Sequence, residues 1–133
     1  MRSKRVLVVE DDRANRNAIR QLLRIAGYAV FAAANGREAL ECLRRHPRYD
    51  LILLDMHMPV MSGLEFRAEQ QQDPALSAIP VVVLTALDES AARSLAIGDV
   101  GYVQKPVDVE DLLQLIAQYM VPEIPSEIAC AND

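Results

Sequence analysis

Leu51-Ile52-Leu53-Leu54-Asp55-Met56-His57-Met58-Pro59-Val60-Met61-Ser62-Gly63 sets the plan of this chain. Four uncharged aliphatics in a row read as a strand covered on both faces, the pattern of a parallel sheet. The run ends in a carboxylate and passes into a turn bearing Pro59 and Gly63. An ionised acid buried without partners costs several kcal/mol or more, so Asp55 needs partners or solvent. Three other apolar runs end the same way: Val6 to Val9 before Glu10-Asp11-Asp12, Val81 to Leu84 before Thr85, and Tyr102 to Gln104 before Lys105.

Between these runs the hydrophobic period lengthens to that of helices. Ile19, Leu22, Leu23 and Ala26 share one face after Arg13, and Gly27 follows as a C-terminal cap. A second strand covers 29–32. Asn35 with Glu38 three residues on suggests a capping box, and Ala39, Leu40 and Leu43 form that helix's inner face before Pro47 ends it. Ser62 with Glu65 repeats the box and opens a helix that fades near Asp73-Pro74. A strand is predicted over 79–84, a helix over 89–97 ended by Gly98, a short strand over 101–104, and a last helix capped by Asp108. Its inner face carries Leu112, Leu115, Ile116 and Tyr119.

Five short apolar strands alternating with five helices imply right-handed crossovers and a parallel sheet with helices on both sides. Ligands of such sheets sit beyond the C-terminal strand ends. Every polar residue named above lies at such an end. One domain over 4–120 follows, with 121–133, which holds Pro122 and Pro125, as a tail.

Composition agrees. The chain has 133 residues, 51 % hydrophobic and 25 % charged, as in globular proteins. A net charge of −5 speaks against nucleic acid as a direct partner. No apolar stretch approaches ~18 residues, so no membrane span is expected. Cys42 and Cys130 lack metal-ligand spacing, which fits a reducing cytoplasm.

Glu10, Asp11 and Asp55 at one sheet edge would repel unless a cation sat among them, and oxygen ligands select a hard ion such as Mg²⁺. Lys105 is one of two lysines against twelve arginines, which suggests that a compact point charge is wanted there. Thr85 offers a hydroxyl donor. A metal, an ammonium and a hydroxyl around a carboxylate describe a site for a phosphoryl group attached to that carboxylate. Taken singly, each residue has an ordinary reading, and Asp12 is placed simply to cap the first helix. The joint placement is what an ordinary reading fails to explain.

The segments Val8-Val9-Glu10-Asp11-Asp12, Leu53 to Gly63, Val83-Leu84-Thr85-Ala86 and Tyr102-Val103-Gln104-Lys105-Pro106 resemble the response-regulator receiver domains of two-component signalling, of the chemotaxis-receiver-like kind. Separations of 30 residues from Asp55 to Thr85 and 20 more to Lys105 are similar to the family's. The resemblance covers about 4–120. It implies a flavodoxin-like, doubly wound five-stranded sheet in the order 2-1-3-4-5, with Asp55 as phosphoacceptor. Glu10, Asp11, Asp55 and the backbone carbonyl of His57 would hold Mg²⁺. Thr85 and Lys105 would hold the phosphoryl oxygens, and Thr85 and Tyr102 would form the switch. The His57 side chain falls where family members tune hydrolysis of the acyl phosphate; an imidazole there would orient water, merely shield the site, or stand by without a role.

The implied activity is that of a phosphorylation-activated signalling receiver, not of an enzyme with an external substrate. Its partners would be a histidine kinase or histidine phosphotransfer protein and a downstream effector, with a phosphorylation-dependent homodimer as one possible output. The effector would meet the fourth helix, last strand and last helix. Arg13, Arg16, Arg20 and Arg24 make a basic stripe on the first helix, read either as a solvated face or as a docking surface for the kinase. Three rivals fit less well. Phosphatases and dehalogenases with an Asp nucleophile usually carry a second acid where His57 stands. A flavin binder needs a phosphate-cradling first loop, which Glu10-Asp11-Asp12 would repel. A receiver that is never phosphorylated does not need the full set.

Overall fold

The computed structural model describes residues 4–46, 48–56, 60–93 and 101–120. Strands β1 (Arg5–Val9), β2 (Ala29–Ala33), β3 (Leu51–Asp55), β4 (Val81–Thr85) and β5 (Gly101–Gln104) alternate with helices α1 (Arg13–Ile25), α2 (Gly36–Arg45), α3 (Gly63–Gln72), α4 (Glu89–Arg93) and α5 (Val109–Met120). All pairings are parallel, and the strand order is 2-1-3-4-5. The doubly wound flavodoxin-like fold expected from the sequence is the fold observed.

The apolar runs form strands because the sheet is covered on both faces. Alternate residues serve opposite cores: Leu7, Val9, Ile52, Leu54, Val81 and Val83 pack with α2 and α3, while Val6, Val8, Leu51, Leu53, Val82 and Leu84 pack with α1 and α5. Both sides of β3 and β4 are therefore dry, and every one of their residues is buried.

Helix starts follow the caps read from the sequence. Asp12 accepts from the Asn15 amide, Asn35 from Glu38 and Asp108 from Asp111. Ser62 and Glu65 complete a reciprocal box. Glu38 reaches one residue further back, to the Ala34 amide at 3.0 Å. Gly27 follows α1 at φ +102, a backbone region that costs a side chain ~1–2 kcal/mol.

Two expectations shift. The fourth strand begins at Val81 instead of Ile79, because Pro80 has no amide for the ladder and Ile79 closes a turn onto the Leu76 carbonyl. Ala26 is exposed as the C-cap of α1 and takes no part in its inner face, which is built on Leu23 with Ile19 and Leu22 beside it. Pro47, 94–97, Gly98 and the 121–133 tail lie outside the described residues.

Candidate functional site

Parallel strands carry their last residues to one edge. Glu10 follows β1, Asp55 and Thr85 end β3 and β4, and Lys105 follows β5. Glu10, Asp55 and Thr85 are 2 %, 3 % and 1 % exposed, so three polar groups are sealed at the top of an aliphatic sheet. Asp11 is exposed and Lys105 half-buried. One carboxylate oxygen from each of Glu10, Asp11 and Asp55 lies within 4.8 Å of the others. The Lys105 ammonium donates to Asp55 Oδ1 at 3.1 Å and stands 3.7 Å from Glu10 Oε1.

The electrostatics follow from burial and crowding. Desolvation lifts the Glu10 carboxyl from the ordinary 4.5 to about 8, helped by the hydrogen bond and negative charge of Asp55, while Lys105 and the Asp12 amide pull it back. Burial works against the charge on Lys105, but Asp55, Glu10 and Asp11 outweigh it and hold the pKa above its usual value. Glu10 thus keeps a proton beside Asp55 while Lys105 stays an ammonium. A proton and an ammonium already do part of a metal's work here, namely separating like charges. Three converging carboxylates, all oxygen, fit a hard divalent cation that would displace the proton.

The loops are tied by backbone. The Lys105 amide donates to the Thr85 carbonyl at 2.7 Å and the Met56 amide to the Leu84 carbonyl at 3.3 Å, so the ends of β3, β4 and β5 are linked. Thr85 Oγ1 accepts from the Leu87 amide at 3.1 Å. Gly63 donates to the Met56 carbonyl and lies so close that a Cβ would sit 2.9 Å from the Asp55 carbonyl oxygen. Tyr102 is half-buried and packs against the core on the α2 and α3 side.

The predicted residues Glu10, Asp11, Asp55 and Lys105 are brought together, and Thr85 ends the neighbouring strand. Tyr102 lies in β5, three residues before Lys105. His57, both carbonyl and ring, falls outside the described residues. Several features had escaped the sequence reading. Val60, a β-branched residue, sits at φ +68 in the segment before α3. Arg67 and Gln70 form a buried polar pair, and Gln70 donates to the Leu76 and Ile79 carbonyls, fastening the α3–β4 connection. Arg16 bonds the loop that carries the acids. A cavity of about 500 Å³ runs from Glu10 and Lys105 between α1 and α5, past Ile19, Leu22 and Val107.

Fold and site together define a doubly wound α/β domain with a carboxylate, an ammonium and a cation-ready acid cluster at its strand ends. The chain belongs to the response regulator receiver domain family of two-component signalling, which it matches over residues 6–117. It is 37 % identical over 121 residues to the polar-differentiation response regulator DivK of Brucella anthropi, covering 88 % of this chain and 96 % of that protein. The chemotaxis response regulator CheY4 of Vibrio cholerae superposes with a TM-score of 0.81 at 32 % identity, over 89 % of this chain and 99 % of that one. The receiver domain of the sensor histidine kinase PA1611 from Pseudomonas aeruginosa, solved with magnesium in its active-site cleft, gives 0.80 at 30 % identity, over 89 % and 98 %.

Proposed function

We propose that Asp55 accepts a phosphoryl group from a histidine kinase or histidine phosphotransfer protein, and that the resulting acyl phosphate changes the surface offered to an effector. The observation that carries this reading is the setting of Asp55: buried, bonded to Lys105 at 3.1 Å, with Glu10 and Asp11 converging on it. A carboxylate oxygen of Asp55 attacks phosphorus, forming the O–P bond as the P–N bond of the donor phosphohistidine breaks, and the electron pair leaves with the imidazole. Glu10, Asp11, Asp55 and the His57 backbone carbonyl would hold Mg²⁺, which supplies charge neutralisation for the incoming phosphoryl oxygens. Lys105 moves from Asp55 to a phosphoryl oxygen, and the Thr85 hydroxyl, which accepts from the Leu87 amide, donates its own proton to another. The same groups serve the later hydrolysis, so the chain promotes its own phosphorylation and dephosphorylation without acting on an external substrate.

Output would run through Tyr102 and the surface of α4, β5 and α5, to an effector protein or a second copy of the chain. Donor docking would use Arg13, Arg20 and Arg24 along α1. Among the described residues no helix is long and apolar enough to cross a membrane. We place the activity in the cytoplasm, as part of a phosphorelay, with no nucleic acid bound directly by a chain of net charge −5.

The test is intact-mass spectrometry after incubation with acetyl phosphate and Mg²⁺. One added phosphoryl group is expected, lost in Asp55→Asn and in EDTA. Full labelling of that variant, or equal labelling in EDTA, would overturn the assignment of the acceptor or of the metal.

A further inference from the structure

Arg16 sits in the first turns of α1, in the basic stripe that reads from sequence either as a solvated face or as a docking surface. The structure gives it another task. It is half-buried, and its Nη1 donates to the backbone carbonyl of Glu10 at 2.9 Å and to that of Asp11 at 3.3 Å. Those are the carbonyls of the two acids that follow β1. Among the described residues Arg16 makes no ion pair with Glu10, Asp11 or Asp12. The guanidinium therefore occupies none of the carboxylate oxygens of the pair, while the peptide planes that carry them are pinned.

Pinning is needed because this loop has few other restraints. The Glu10 amide is tied to the Ala33 carbonyl at 3.1 Å, and the Asp12 amide donates to Glu10 Oε2 at 3.3 Å. Beyond β1 the carbonyls of Glu10 and Asp11 have left the sheet ladder. Fixing a carbonyl fixes ψ of its own residue, and with it the direction in which the peptide carries the next side chain. An arginine on α1 reaching back five and six residues closes the loop through a rigid helix.

We propose that Arg16 is a positioning residue for the cation site, holding Glu10 and Asp11 in the separation a divalent ion requires. This rests on the Mg²⁺ reading given above. The sign of the effect separates it from simple charge. A guanidinium near the site repels a divalent cation, so charge alone predicts that removing Arg16 tightens binding. Positioning predicts that removal weakens it.

Mg²⁺ affinity of EDTA-stripped protein, read from the NMR shifts of the Glu10, Asp11 and Asp55 amides, decides between them. Groups that orient metal ligands typically contribute 10–100-fold, so Arg16→Met should weaken Mg²⁺ about tenfold. Arg16→Lys, which keeps the charge but not the planar fork, should recover part of the loss. Arg48→Met removes an equal charge from an exposed position before β3 and should match wild type. Urea midpoints measured alongside separate loop positioning from global unfolding. Unchanged or tighter Mg²⁺ binding by Arg16→Met overturns the proposal. If Arg16→Met fails to fold, wild-type affinity in Arg16→Lys overturns it instead. Wild-type protein that shows no saturable Mg²⁺ shift at these amides would refute the metal reading itself.

Discussion

Replacing Asp55 by Asn should make the metal-free protein more stable, by an amount that grows with pH. Glu10 keeps its proton in the folded chain to about 8, whereas an ordinary glutamate loses it near 4.5. Between those values the folded state binds more protons than the unfolded one, so stability falls as pH rises. The raised Glu10 pKa is thus a stability penalty that is fully present above about pH 8. Burial, the largest cause, remains in the Asn variant, while the hydrogen bond to the Asp55 carboxyl and its charge are removed. Against this, the variant loses the Lys105 bond, worth about 0.5–1 kcal/mol for a lysine a third exposed. We expect Asp55→Asn to gain about 1–2 kcal/mol at pH 8 and to differ little at pH 5. Mg²⁺ should erase the advantage, since a ligand at a hundred times its Kd stabilises the folded state by ~2.7 kcal/mol and the variant has lost one carboxylate. Urea unfolding followed by circular dichroism in EDTA, from pH 5 to 8.5, measures all of this. Parallel profiles for the two proteins, or a variant less stable at every pH, would refute the charge-crowding argument.

Gly63→Ala should destabilise by about 1–3 kcal/mol, because the new methyl meets the Asp55 carbonyl oxygen at 2.9 Å and the Met56 Cα at 3.0 Å, both backbone; a urea midpoint equal to wild type would show that the loop yields freely. Thr85→Ala should still be labelled by acetyl phosphate but respond weakly to it. NMR shifts around Tyr102 with and without beryllofluoride check this, and a full wild-type response in the variant would send the signal by another route.

The fold was legible because both faces of the sheet are covered, which turns the central strands β1, β3 and β4 into aliphatic runs and leaves the first polar residue to mark the end of each. Glu10, Asp55 and Thr85 announce themselves in this way, and so do the side-chain caps Asp12, Asn35, Ser62 and Asp108. What sequence pattern could not reveal is contact made through backbone atoms. Arg16 looks like its exposed neighbours Arg13 and Arg24 because nothing in side-chain type records that it bonds two carbonyls. Arg67 and Gln70 are polar letters in a helix, and only the path of the 73–80 connection encloses them. Val60 carries no sign of a left-handed backbone, since the turn imposes it against the preference of a β-branched residue.

The same backbone links explain how so small an event as a phosphoryl group on Asp55 would be felt at Tyr102. Thr85 is held twice, its hydroxyl by the Leu87 amide and its carbonyl by the Lys105 amide at 2.7 Å. Lys105 is held twice as well, by that bond and through its ammonium on Asp55. Phosphoryl oxygens would accept from the hydroxyl and the ammonium together, drawing on both ends of one peptide contact. Under the proposed function that pull would reach β4 and β5, because Val83 and Tyr102 are paired in register two and three residues upstream of Thr85 and Lys105. Moving a two-state balance from 1:99 to 99:1 takes about 5.5 kcal/mol, and charge-assisted bonds at ~1.5–3 kcal/mol each supply much of it only if two or more form at once. A lone Lys105 contact would be too weak to switch the surface. Under the proposed function the output would therefore depend on the Thr85 hydroxyl, and capture on Lys105.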